Sequence, residues 1–196
     1  MTKQKSVVVG SLGDVTERGE PGALAESFMS AEVIILMDNS GSMGVHDVAG
    51  QSRREVADEQ LVELQGRHPG AVALVCFADR AEFSPSGNMI PVGSGTDMVS
   101  ALSFIRCADG LDYKILLITD GEPNQPNATL KLAAKFASKI HAIYCGPEDG
   151  RGMDFLNRLM RVTGGSLQKS GIELLAASAE RMFLLDTGAE ESVIVL

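Results

Sequence analysis

Side chains that carry oxygen recur at every second position in one short stretch of this sequence. Within "VIILMDNSGSMG", residues 33–44, the carboxylate of Asp38 is followed by the hydroxyls of Ser40 and Ser42. Alternate residues of an extended segment point to the same side, and Gly41 gives the chain freedom to curve, so the three oxygens can converge on one point. Because Asp and Ser are also favoured in turns and at helix N-caps, the stretch alone is equally consistent with a capped turn.

Two later segments offer more oxygens of the same chemical type. Thr96 lies in "GSGTDM", and Asp120 follows the apolar run "KILLIT". Together with the first stretch they give two carboxylates and three hydroxyls, a set that suits Mg²⁺, Mn²⁺ or Ca²⁺ rather than zinc or copper, which recruit His or Cys. An ion held largely by neutral hydroxyls remains short of negative charge, so it favours an acidic ligand from outside. The set therefore indicates binding more than catalysis.

Two acidic neighbours of these residues have simpler interpretations. Asp97 directly precedes a helical pattern, and we predict that it caps that helix instead of binding metal. Glu122 lies beside the candidate site, where it adds local negative charge.

Apolar runs and helical patterns alternate along the chain. Continuous runs of β-forming residues, typical of strands covered on both faces, occur at 32–37, 71–78, 114–119 and 141–146. Segments with helical periodicity occur at 51–66, 98–107, 128–140, 153–163 and 172–185. In the first of these helices Arg53 falls on the polar side, and Asn127 is the candidate N-cap of the third.

This alternation predicts an α/β fold, with a doubly wound, mostly parallel central sheet and helices on both faces. The segment "RAEF" within 79–95 is predicted to be one short antiparallel edge strand, paired with 71–78. Ligands in such sheets bind beyond the carboxyl ends of the strands, so all three polar clusters should meet there. The end segments "KSVVVGSL" and "ESVIVL" could pair with each other or extend the sheet, and the second could instead be a docking tail. Of these we predict that they extend the sheet.

Composition excludes several classes of function. The net charge of −9 disfavours nucleic acid and anionic lipid as partners. Cys76, Cys107 and Cys145 lack metal-binding spacing, which favours small core residues in a reducing compartment. The N-terminal apolar run is too short for a secretory signal and no run approaches a membrane span, so we expect a cytoplasmic protein.

The candidate ligands match the pattern of a known family. The chain resembles a von Willebrand factor type A (VWA) domain that carries a metal-ion-dependent adhesion site. That pattern is Asp-x-Ser-x-Ser after the first strand, a Thr in a later loop and an Asp after the fourth strand. Here these positions fall on Asp38, Ser40, Ser42, Thr96 and Asp120, in the expected order. A single piece of this pattern is weak, whereas the five together are specific.

The resemblance implies a cation, usually Mg²⁺, held by Ser40, Ser42 and Thr96, with Asp38 and Asp120 bonded directly or through water. It also implies a protein partner whose Asp or Glu completes the metal shell. By analogy with cytoplasmic single-domain bacterial members, the resemblance implies that this partner is an AAA+ ATPase or a component of a phosphatase, kinase or stress-resistance system.

The resemblance covers residues 32–186, which we interpret as one VWA domain. Residues 1–31 are then an N-terminal extension and 187–196 a C-terminal tail.

Other interpretations are weaker. "SGSMG" differs from a G-x-S-x-G nucleophile elbow at position 40, and His141 begins a strand, at the opposite end of the sheet from Ser42. A metal-dependent hydrolase or phosphotransferase would require a second acid where Ser40 stands. A scaffold with a decayed site is disfavoured because every ligand position is intact. We therefore predict a binding protein and not an enzyme.

Overall fold

The computed structural model describes residues 7–15, 28–29, 31–46, 48–147 and 151–185. Over these ranges six strands form one sheet, in the order β3-β2-β1-β4-β5-β6. The strands are β1 (Val33–Asp38), β2 (Val72–Phe77), β3 (Ala81–Phe83), β4 (Lys114–Thr119), β5 (Ile140–Tyr144) and β6 (Leu167–Lys169). Neighbouring strands are parallel except for β2 and β3, which are antiparallel. The predicted sheet, including its antiparallel edge strand, is confirmed.

Continuous apolar sequence explains why the central strands lie inside. Every residue of β1 and β2 is buried, and in β4 only Lys114 is partly exposed. The registers align the carboxyl ends of these strands, with Asp38 beside Phe77 and Met37 beside Ile118. The loops that leave β1, β2 and β4 therefore start from one edge of the sheet.

Helices cover both faces of this sheet, as a doubly wound fold requires. Within the described ranges the α-helices are α1 (Leu12–Val15), α2 (Arg53–Arg67), α3 (Met98–Phe104), α4 (Pro126–Ala133), α5 (Arg151–Thr163) and α6 (Leu175–Leu185). Short 3₁₀ turns occur at Gly41–Gly44, Ile105–Ala108 and Ile172–Leu174.

The two layers of helices bury separate cores. On one face α3, α4 and α5 pack in sequence, and their apolar residues join one cluster with alternate residues of the central strands. On the other face α2 packs against α6, and both contribute to a second cluster.

The predicted bounds of α4 are wrong. We expected a helix over 128–140 with Asn127 as N-cap, whereas α4 begins at Pro126 after Gln125 and ends at Ala133. The backbone amides of Ala137 and Ser138 donate instead to Asp109, each at 2.9 Å. This contact with a distant loop ends the helical pattern and lets Ile140 begin β5.

The N-terminal run does not form the expected strand over its described residues. Residues 7–12 contain a turn and the start of α1, and Leu12 is buried. Gly13 donates to the carbonyl of Pro85 at 2.7 Å, so the segment packs against the loop after β3. The C-terminal run "ESVIVL" lies outside the described residues.

The three cysteines differ in burial. Cys76 is buried and Cys145 partly buried, but Cys107 is exposed, so the interpretation as core residues is wrong for Cys107.

Among the described residues, no helix is long and apolar enough to cross a membrane.

Candidate metal centre

The predicted ligands lie at the carboxyl edge of the sheet. Asp38 is the last residue of β1, and Ser40 and Ser42 follow it in the loop that forms the 3₁₀ turn Gly41–Gly44. Asp120 comes directly after β4. Thr96 lies in the loop that precedes α3.

Three of these side chains form a continuous row of oxygens. The hydroxyls of Ser40 and Ser42 are 3.0 Å apart. The Ser42 hydroxyl donates to Oδ1 of Asp120 at 2.7 Å. Ser40 and Asp120 are buried, whereas Ser42 is exposed, so the row runs from the interior to the surface. The structure therefore brings Ser40, Ser42 and Asp120 together across 78 residues of sequence.

Asp38 lies behind this row and is fully buried. Its Oδ1 accepts from the Ser40 amide at 2.8 Å, and its Oδ2 accepts from the Thr119 hydroxyl at 2.6 Å. Burial raises the pKa of Asp38 to about 6, although the bonds from Thr119 and Ser40 oppose that rise, and the negative charge of Asp120 adds to it. Asp38 thus orients the Ser40 loop and places a second carboxylate near Asp120.

Thr96 is connected to the site through its backbone. Its amide donates to Oδ1 of Asn124 at 3.2 Å, and the Asn124 amide donates to the Thr96 carbonyl at 2.9 Å. On the other side, the Gly41 amide donates to the carbonyl of Ser94 at 2.8 Å. The Thr96 loop is therefore tied both to the loop after β1 and to the loop after β4.

The chemistry of these donors fits a hard divalent cation. Among the described residues, no group of three or more His, Cys, Asp or Glu side chains is placed to hold a metal ion. Zinc or copper would require such a group, whereas Mg²⁺ accepts carboxylates, neutral oxygens and water. A row of two hydroxyls and one carboxylate, backed by a second carboxylate, meets the preference of Mg²⁺ or Mn²⁺.

Asp97 has the role expected from the sequence. It is the N-cap of α3, and its Oδ1 accepts from the Ser100 amide at 3.1 Å. Its carboxylate is engaged in starting the helix that follows the Thr96 loop.

Asp79 shapes the site and was missed in the sequence. Its carboxylate accepts from the amides of Ser94 at 3.1 Å and Gly95 at 2.8 Å. Gly93 has a positive φ of 119°, and a side chain there would collide with Asp79. Its position in the sequence could have indicated this role, because Asp79 follows the second strand at the same carboxyl edge of the sheet.

Two arginines at the start of α2 were also missed. Nη1 of Arg53 donates to Oδ2 of Asp120 at 2.7 Å. Nη2 of Arg54 donates to the carbonyls of Asn39 and Ser40 at 3.2 and 2.9 Å. The sequence placed Arg53 on the polar side of the helix but did not predict this contact, which leaves only 11% of the Arg53 side chain exposed.

His141 lies away from this edge. It pairs with Leu116 in the sheet, three residues before Thr119, and its Nδ1 is 2.7 Å from the Ser166 hydroxyl. The structure therefore places it beside Ser166 and not beside Ser42.

Comparison with known proteins identifies solved structures that share this fold. No protein-family model and no curated protein matches the sequence. Among solved structures, an aerotolerance-related membrane protein from Bacteroides fragilis matches with a TM-score of 0.59 at 16% identity, over 79% of this chain and 99% of that chain. Manganese-loaded TRAP protein from Plasmodium vivax matches with a TM-score of 0.53 at 16% identity, over 79% of this chain and 74% of that chain.

A von Willebrand factor type A protein from Catenulispora acidiphila matches with a TM-score of 0.51 at 18% identity, over 78% of this chain and 42% of that chain. At such identities the likeness establishes the fold alone. The chain has a VWA-like α/β fold.

Proposed function

We propose that this chain is a divalent-cation-dependent protein-binding module, in which a Mg²⁺ ion bridges the module to an Asp or Glu of a partner protein. The observation that carries the proposal is the row of oxygens from Ser40 through Ser42 to Asp120, backed by Asp38. Residues from three separate segments of the sequence lie at one edge of the sheet, and all of them carry oxygen donors.

The proposed ligands are Ser40, Ser42 and Thr96, with Asp38 and Asp120 bound directly or through water. When bound, the ion would supply a positive charge at the surface end of the row, where Ser42 is exposed. Mg²⁺ takes about six ligands in an octahedron and usually keeps several waters, so a ligand from outside could replace one of those waters. A carboxylate is the natural occupant because the neutral hydroxyls leave the ion undercharged.

The manganese-loaded state of the Plasmodium vivax TRAP protein supports a cation at this fold. Mn²⁺ and Mg²⁺ prefer similar oxygen ligands, so the same donor set suits both.

Binding is proposed in preference to catalysis because of how Asp38 is held. A metal-dependent phosphotransferase at this site would use the acid after the first strand, Asp38, as its nucleophile. Both Asp38 oxygens already accept hydrogen bonds, from the Ser40 amide and the Thr119 hydroxyl, and the side chain is fully buried. Such a carboxylate positions a loop and is not open to attack a phosphate.

Capture of a partner from cell extract tests the proposal. The immobilised chain is expected to retain a partner in Mg²⁺, to release it in EDTA and to recover it when excess Mg²⁺ is restored. Thr96→Ala and Asp120→Ala should abolish capture while keeping the circular dichroism spectrum of the folded chain. Asp112→Ala, which removes an exposed acid before β4, is the matched control and should bind as the wild type does.

The opposite result is equally clear. Capture that persists in EDTA, or in both site variants, would show that the partner does not bind through the metal.

A further inference from the structure

Helix α2 begins with an unusual choice of residues. Its first two positions are Arg53 and Arg54, after the N-cap Ser52. The N-terminus of a helix carries partial positive charge, so cations there are electrostatically unfavourable and acids are preferred. The acid Glu55 of the capping box offsets part of this charge, and Arg53 has a further acidic partner.

Arg53 finds that partner in the candidate metal centre. Its Nη1 lies 2.7 Å from Oδ2 of Asp120, and the side chains are 11% and 0% exposed. The other Asp120 oxygen, Oδ1, accepts from Ser42. Both oxygens of this carboxylate are thus engaged, one by a hydroxyl of the row and one by a guanidinium.

The charges explain why such a contact forms. Asp38 and Asp120 place two carboxylates at one buried edge of the sheet, and their mutual repulsion is costly where water is excluded. The guanidinium of Arg53 compensates one of these charges directly. A divalent cation would compensate the same charges, so it and Arg53 compete for Asp120.

The Arg53 side chain borders open space. Beside Asp120 a groove of about 300 Å³ is lined in part by Arg53, Cys145, Ile172 and Glu173. Because Arg53 lines this open space, its side chain has room to move away from Asp120, and the acid Glu173 lies exposed on the same groove.

We propose that Arg53 is an internal counter-ion of the metal centre, which competes with the divalent cation for Asp120 and thereby sets the cation affinity of the site. This inference rests on the proposed function, because it needs a cation at Asp120. Arg53 then also has a structural role, since in the metal-free chain it holds the buried carboxylate in a stable arrangement.

Titration of the full chain with Mg²⁺ by calorimetry tests this assignment without any partner. Arg53→Gln is expected to bind Mg²⁺ about tenfold more tightly than the wild type, a change equivalent to roughly 1.4 kcal/mol. Arg53→Lys keeps the charge but loses the planar fork, so its affinity should lie between the two. Arg67→Gln removes an exposed arginine of the same helix, paired with Glu63 and Glu180, and should leave Mg²⁺ affinity unchanged.

Thermal unfolding provides a second, independent measurement. In EDTA, Arg53→Gln should lower the Tm by roughly 5 °C or more, because it leaves Asp120 buried without its counter-ion, and Mg²⁺ should restore most of that loss. A merely structural role for Arg53 would lower the Tm equally in EDTA and Mg²⁺.

The failures of the two proposals are distinguishable. If the wild type binds Mg²⁺ and Arg53→Gln binds it equally or more weakly, the counter-ion role is wrong and the metal site stands. If neither chain binds Mg²⁺, the metal site itself is wrong, and the role of Arg53 with it.

Discussion

At the scale of single residues, the site depends on carboxylates whose two oxygens have different roles. Asp120 contacts a hydroxyl of the row with one oxygen and Arg53 with the other. Both oxygens of Asp38 accept hydrogen bonds, from the Ser40 amide and the Thr119 hydroxyl. Asp120 is therefore part of the row of oxygens, whereas Asp38 also fixes the loop that carries the hydroxyls.

This difference between the two acids was only partly visible in the sequence. The spacing of Asp38, Ser40 and Ser42 predicted converging oxygens, and the structure brings two of these side chains into one row with Asp120. Arg53 could not be assigned, because an arginine in the first turn of an amphipathic helix is normally solvated. Its contact with Asp120 spans 67 residues, so it depends on how α2 packs on its face of the sheet.

Thr119→Val tests the anchoring of Asp38. The change keeps the shape of the side chain but removes the hydroxyl that donates to Asp38 at 2.6 Å. Hydrogen bonds to charged groups contribute about 1.5–3 kcal/mol, so the free energy of unfolding should fall by about that amount. Urea unfolding at pH 8, above the Asp38 pKa of about 6, measures it.

The matched control is Thr129→Val, which removes a buried hydroxyl that donates to the neutral carbonyl of Gln125. A neutral bond contributes less, about 0.5–1.5 kcal/mol. Equal losses in the two variants would contradict a charged Asp38 anchor.

At the scale of secondary-structure elements, the sequence predicted whether a segment is a helix or a strand better than it predicted where that segment begins and ends. Continuous apolar runs identified β1, β2, β4 and β5 because strands buried on both faces need no polar alternation. The end of α4 was wrong because Asp109, in a distant loop, takes the amides that would have continued the helix. No local pattern contains that information. The short strand β6, "LQK", was missed because it has a single large apolar residue.

Asp109 gives a prediction for pH dependence at this scale. Burial alone would raise the pKa of Asp109, but the amides of Ser138 and Ala137 and the charge of Arg106 outweigh it and hold the pKa below its usual value. A lowered pKa means that Asp109 stabilises the fold above its unfolded pKa of about 4, and that this contribution disappears as pH falls through the folded value. Asp109→Asn should therefore destabilise the chain by about 1–2 kcal/mol at pH 7 and by much less at pH 3.

Urea unfolding of the wild type and Asp109→Asn at the two pH values provides the measurement, with the exposed Asp112→Asn as control. A difference that is the same at pH 7 and pH 3 would show that the charge of Asp109 has no part in holding the loop before β5.

At the scale of the whole molecule, the VWA-like fold brings distant loops to one edge. The register of β1 with β2 and β4 aligns their carboxyl ends, so residues as far apart as Ser42 and Asp120 come into contact there. The fold class followed from the alternation of strands and helices, because parallel strands require crossover helices. The structure of the N-terminal run could not be predicted in this way. Its three valines are typical of a strand, whereas residues 7–15 pack on the loop after β3.

The most direct test of the central claim is Mn²⁺ binding to the purified chain, followed by the loss of the electron paramagnetic resonance signal of free Mn²⁺. We expect saturable binding of one ion per chain, displaced by excess Mg²⁺ and retained by Asp112→Ala. Ser42→Ala and Asp120→Ala, separately or combined, should weaken that binding strongly while the chain remains folded. Absence of saturable binding to the wild type, or equal binding by the combined variant, would contradict the assignment of this edge as a metal centre.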